Sequence, residues 1–167
     1  LLAATEEAYV AALSPVLRVR GGVSLSEATR DDLSYALRVG EFDRAFPAHR
    51  MPIVYRDVFA GLGIRTGAQT NIRLDLDDRP SKNPRPFCSP IRVPDEVMLV
   101  LRPQGGFGDY SALLHEGGHA QHFGFTSAGI HVAFSRTGDR ASSEVWAFLM
   151  QYLLLDPRYL HDAFGLG

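Results

Sequence analysis

His115 and His119 stand four residues apart, with Glu116 directly after the first. Four residues are slightly more than one helical turn, so on a helix both imidazoles leave the same face, about 6 Å apart along the axis. Their nitrogens can then converge on one metal ion at about 2.0–2.1 Å. Glu116, one step round the helix, stands beside the open metal position. A carboxylate there can take a proton from water and hand it to a leaving amine. His115-Glu116-Gly117-Gly118-His119 is therefore the pattern of a helix-borne zinc site that splits amide bonds. Two glycines in mid-helix cost about 1–2 kcal/mol relative to alanine. Close approach of a strand or a ligand would explain Gly117 and Gly118.

Zinc in a hydrolase usually has three protein ligands and one open position. A third histidine six residues after His119, with a glycine between, is one way to complete the set. It fails here, because position 122 is His122 and position 125 is Phe125. A glutamate from the next helix is the other way. Glu144 is the only acidic residue between Asp139 and Asp156, and its offset from His119 lets a loop turn two helices face to face across the metal. A glutamate in the first turn of a helix is also stabilised by the helix dipole alone, with no metal.

The constellation resembles the thimet oligopeptidase and oligopeptidase F family of zinc peptidases. The resemblance rests on Leu114 to His122, on Glu144, and on the proline-rich and basic loop from Asp77 to Cys88. It implies that His115, His119 and Glu144 bind zinc and that Glu116 is the general base and acid. It also implies a mainly helical fold and a longer chain. The family carries transition-state-stabilising histidine and tyrosine side chains well downstream of the third ligand, a role matched to neither Tyr159 nor His161. The chain begins at Leu1, without methionine, and is read as a piece of a longer protein.

The elements that position these residues follow from periodicity and punctuation. Residues 3–13 read as a short helix ended by Pro15. Ser24 and Glu27 have capping-box spacing and open a helix over roughly 25–46. A third helix covers 52–60, with Pro52 in its first turn and Gly61 and Gly63 past its end. Ile72, Leu74 and Leu76 alternate with polar residues, as in a half-buried strand. Residues 77–86 are a loop. Residues 87–93 form an irregular strand, with Pro90 marking an edge or bulge, and 97–101 are an apolar strand. Asp109 caps the motif helix, about 110–122, with Gly124 at its end. After a glycine-bearing loop, a helix starts between Asp139 and Ser143 and runs to Asp156. Val145, Trp146, Leu149, Tyr152 and Leu153 should make it mostly buried. A last helical turn covers 158–164.

With 167 residues, 46% hydrophobic and 22% charged, the chain suits an ordinary folded domain. The net charge of −2 points to no nucleic-acid or anionic-membrane partner. No apolar run approaches a membrane span. Cys88, the only cysteine, excludes an internal disulfide and fits a reducing, cytoplasmic setting. It reads as a small buried hydrophobe rather than a nucleophile. His122 and Asp139 could orient ligands from behind, His131 could touch substrate, and Arg136 or Arg140 could hold a peptide carboxylate.

The expected molecule is α+β and mainly α-helical. It has a helical segment over 1–50 and a catalytic region over 51–167, with a zincin-like core and a small, mostly antiparallel sheet beside the motif helix. The expected activity is a zinc oligopeptidase with one Zn2+ ion, acting on short peptides. Self-association or a C-terminal remainder of the protein would complete its surroundings. A zinc-holding binding or scaffold module, and a hydrolase of non-peptide amides, are the alternatives.

Overall fold

The computed structural model describes residues 2–135 and 140–167. Arg136 and Asp139, singled out above, lie outside them. The chain divides into two compact units, Leu1–Phe42 and Asp43–Gly167. None of its described helices is long and apolar enough to cross a membrane.

The first unit is helical, but not as the sequence predicts. Helix α1 (Leu2–Val16) runs through Pro15, and the chain continues as a π-helical turn over Leu17–Gly21. Proline lacks the N–H that would bond the carbonyl of Ala11, so the break it causes is local. Leu13 and Leu17 are buried on either side of it, against Ala36, and hold the helix together. The long helix expected over 25–46 is also absent. Ser24 and Glu27 do bond each other, as a capping pair would, but they close only a turn. A second capping box, formed by Thr29 and Asp32, starts helix α2 (Arg30–Leu37). Val39 then takes a positive φ of 51°, which ends the helix and leads to a short 3-10 segment, Gly40–Ala45.

The second unit holds the motif. Helix α3 (Met51–Gly61) lies where the sequence places it, with Pro52 in the first turn. Three strands follow: β1 (Ile72–Asp75), β2 (Phe87–Arg92) and β3 (Glu96–Val100). Their order is β1-β3-β2, with β1 parallel and β2 antiparallel to β3. The sheet is thus mixed rather than mostly antiparallel. Consecutive strands β1 and β2 do not pair, because β3 lies between them. The amides of Val97 and Leu101 donate to Asn71 and Asp75, so these odd-numbered positions of β3 point toward β1.

The loop from β1 to β2 is tied at its base. Lys82, nearly fully buried, donates through Nζ to the Asp75 carbonyl at 2.7 Å, to Asp75 Oδ1 at 2.8 Å and to the Asp77 carbonyl at 2.9 Å. Arg79 and then Lys82 hold the Asp75 carboxyl below the usual carboxylate range.

Helix α4 (Phe107–Gly124) carries the motif and packs on the sheet, on α3 and on helix α6 (Arg140–Gln151). It begins three residues earlier than Asp109 would suggest. Gly105 and Gly106 both have φ near 86°, a region that glycine enters freely, and Gly106 takes the capping position. Asp109 instead accepts the amides of Gln104 and Gly105, tying the preceding loop to the helix. Between α4 and α6 lies the short helix α5 (Val132–Ser135). After α6 the chain closes with a 3-10 turn, Tyr152–Leu155, and helix α7 (Pro157–Phe164). The core gathers Phe46, Tyr55, Phe59, Leu99, Tyr110 and Leu113.

Helix α6 is not mostly buried. Val145 (64% exposed), Trp146, Leu149 and Tyr152 face outward. Its buried stripe is Ser143, Ala147 and Met150, and Leu154 follows in the next turn. The reason is how closely α4 and α6 approach. A Cβ on Gly118 would meet the Ala147 Cα at 2.7 Å and the backbone carbonyl of Trp146. Only small side chains fit along such a seam. The bulky residues of α6 are turned away, and Trp146 and Leu149 line an apolar groove of about 700 Å³ with Phe125, Ile130 and Phe134.

Candidate metal centre

Helix α4 presents His115 and His119 on one face, with ring centroids 4.9 Å apart and planes at 84°. Helix α6 brings Glu144 opposite them. His115 Nε2 is 3.5 Å from Glu144 Oε2, and His119 Nε2 is 3.5 Å from Glu144 Oε1. The three ligand atoms all lie within 4.8 Å of one another. Tetrahedral bonds of about 2.0–2.1 Å would put donor atoms about 3.3 Å apart, so the observed spacing suits a shared cation with little movement. The chemistry of the set also suits zinc, with two neutral imidazoles and one carboxylate. Burial pushes the His119 pKa down, which keeps a lone pair available near neutral pH.

Each imidazole is held from behind, leaving Nε2 as the nitrogen that faces Glu144. His115 Nδ1 shares a hydrogen bond of 2.8 Å with Gln151 Oε1, and Gln151 Nε2 donates to Ser111 Oγ at 3.0 Å. His119 Nδ1 lies 2.7 Å from Ser143 Oγ. For His115 the amide oxygen can only accept, so Nδ1 carries the proton and Nε2 is the free donor atom. Ser143, Glu144 and Gln151 all ride on α6, so that one helix supplies a ligand candidate and the supports of both histidines.

Sequence reasoning missed Ser143, Gln151 and Ser111, and looked instead to Asp139 and His122. A signal was present: Gln151 is a polar residue in a stretch of α6 and its continuation that is otherwise apolar from Val145 to Leu155. His122 stays outside the cluster. It stacks on Trp146 at 6.5 Å, and among the described residues its buried Nδ1 has no hydrogen-bond partner. His131 is exposed and accepts the Ala133 amide. Arg140 is exposed at the start of α6.

Glu116 is fixed by the sheet. Its Oε2 accepts the backbone amide of Cys88, on β2, at 2.7 Å. Among the described residues its other oxygen accepts no hydrogen bond, so it can face a reacting group. Burial, then the Glu116 carboxylate, pushes the Cys88 thiol up to about 12. The thiolate is the reactive form, so this environment disfavours a nucleophilic role for Cys88, which is half-buried.

Removing the outer supports gives the first prediction. Gln151→Leu and Ser143→Ala should each weaken zinc binding by about 10–100-fold while the fold is retained. Competition titration against a chelator, with circular dichroism as the fold control, measures both. Unaltered affinity in both variants would mean that the histidines need no support.

A scan against protein-family models and searches of curated proteins and solved structures return no match to this chain.

Proposed function

We propose that the chain is a zinc-dependent peptidase of the gluzincin type, with a zincin-like core resembling that of the thimet oligopeptidase and oligopeptidase F family. One observation carries the reading: Glu144 stands 3.5 Å from the Nε2 atoms of both His115 and His119, while Glu116 is anchored beside them by the Cys88 amide. His115, His119 and Glu144 would hold the ion, one zinc per chain. When bound, zinc supplies Lewis-acid polarisation of a carbonyl and lowers the pKa of water to about 7.

The protein's own groups do the rest. The free oxygen of Glu116 takes a proton from the attacking water and later delivers it to the leaving amine. The Cys88 amide keeps the carboxylate aimed during both transfers. A peptide substrate lies extended along β2. Strand β3 is paired on both sides, whereas β2, among the described residues, keeps one edge open beside Glu116. Main-chain hydrogen bonds to such an edge bind peptides with little dependence on sequence.

The direct experiment is cleavage of a mixed library of short peptides by the zinc-loaded protein, analysed by mass spectrometry. We expect cleavage that a chelator abolishes and added zinc restores. Zinc binding without cleavage of any peptide would leave a binding module; cleavage confined to acylated small molecules would make it an amidase of another class.

A further inference from the structure

The open edge of β2 is chemically one-sided. In an antiparallel pair, successive residues turn their N–H and C=O alternately toward and away from the partner strand. Cys88 lies opposite Leu99, and Pro90 opposite Val97. Two facts show that this set points away from β3. The Cys88 amide donates to Glu116 rather than to the sheet. On the other strand, Val97 turns its amide to β1. The outward polar groups of the edge beside Glu116 are therefore those of Cys88 and Pro90. Beyond Pro90 the register shifts, so the regular edge ends there.

Neither residue offers a donor. The Cys88 N–H is consumed by Glu116, and Pro90 has no N–H at all. What remains are two carbonyls, two residues apart. We propose that β2 selects peptide substrates through their backbone donors alone, with Cys88 and Pro90 as the specificity-determining residues. Two substrate N–H groups, two residues apart, donate to the Cys88 and Pro90 carbonyls. The carbonyls of those substrate residues receive nothing from β2. The substrate must then carry an N–H at both positions, so proline is excluded there and tolerated at the residue between. This holds whether the substrate runs parallel or antiparallel to β2. The inference rests on the peptidase reading above.

The test uses the zinc-loaded protein and a peptide it cleaves. A series of analogues replaces one backbone amide at a time by an ester, away from the bond that is cut. An ester removes the N–H without adding bulk. One lost hydrogen bond corresponds to about a two- to tenfold fall in kcat/KM. We expect that fall at two positions spaced two apart and no change at the position between. Pro90→Ala restores an outward N–H, and should raise kcat/KM for the parent peptide two- to tenfold. Equal losses at every position, or none, would overturn the proposal, as would an unchanged kcat/KM in Pro90→Ala. If the parent peptides are not cleaved at all, the peptidase reading itself has failed, and this inference falls with it.

Discussion

Glu116→Gln is expected to lower kcat for peptide cleavage by about 10²–10⁴-fold, the usual contribution of a positioned general acid and base. Glutamine keeps the shape and can still accept the Cys88 amide through its carbonyl oxygen, so the bond that anchors position 116 to β2 survives. Neither the His115 and His119 supports nor Glu144 depends on residue 116. Zinc affinity should therefore stay within a few-fold of the wild type. What is lost is the capacity to take a proton, because a carboxamide is not basic near neutral pH. Steady-state kinetics on protein of matched zinc content measures this. A variant that holds zinc and keeps full kcat would remove Glu116 from the chemistry.

The second large effect is structural. Gly118→Ala should destabilise the second unit and weaken the metal site together. Alanine improves helix propensity by about 1 kcal/mol, but the added methyl points into the backbone of α6, at Trp146 and Ala147. A backbone wall has no rotamer to escape into, so α6 must shift. Overpacking of this kind costs about 1–3 kcal/mol, which outweighs the propensity gain or cancels it. Because Ser143, Glu144 and Gln151 sit on α6, any shift moves the proposed ligand Glu144 and both histidine supports at once. Zinc affinity should therefore fall by more than the loss of stability alone suggests. Gly108→Ala is the internal control. It lies on the same helix, with nothing within 4 Å of an added Cβ, and should be neutral or slightly stabilising. Urea unfolding of both variants, with zinc titration, separates the two contributions. Equal behaviour of the two variants would contradict the close-seam account.

The same seam explains what could and could not be read from the sequence. The spacing of His115 and His119 is a property of any helix, and Glu144 was the only acidic residue available on the next one, so the cluster was legible. Strand β2 was also legible, because Pro90 restricts a strand to an edge. Gly117 and Gly118 signalled a close approach, but not of what. The neighbours are two aromatic rings, Tyr55 and Phe59, at Gly117, and a helix backbone at Gly118. That identity is tertiary information. Once α6 must approach over small residues, Ser143 and Ala147 turn inward and Trp146 outward, against the ranking by hydrophobicity. The length of α2 was lost to competition between two capping pairs only five residues apart, Ser24 with Glu27 and Thr29 with Asp32. The parallel pairing of β1 with β3 has no local turn to announce it. Asp139 lies outside the described residues; the bonds to the two Nδ1 atoms that the structure shows come from Ser143 and Gln151 on α6.

On the proposed function, His115, His119 and Glu144 form one zinc site. Elemental mass spectrometry on purified protein, dialysed against a weak chelator, tests it most directly. We expect one zinc per wild-type chain and a marked loss in Glu144→Ala, with the fold retained by circular dichroism. Wild-type protein that binds no zinc, or a Glu144→Ala variant that keeps its full zinc content, would contradict it.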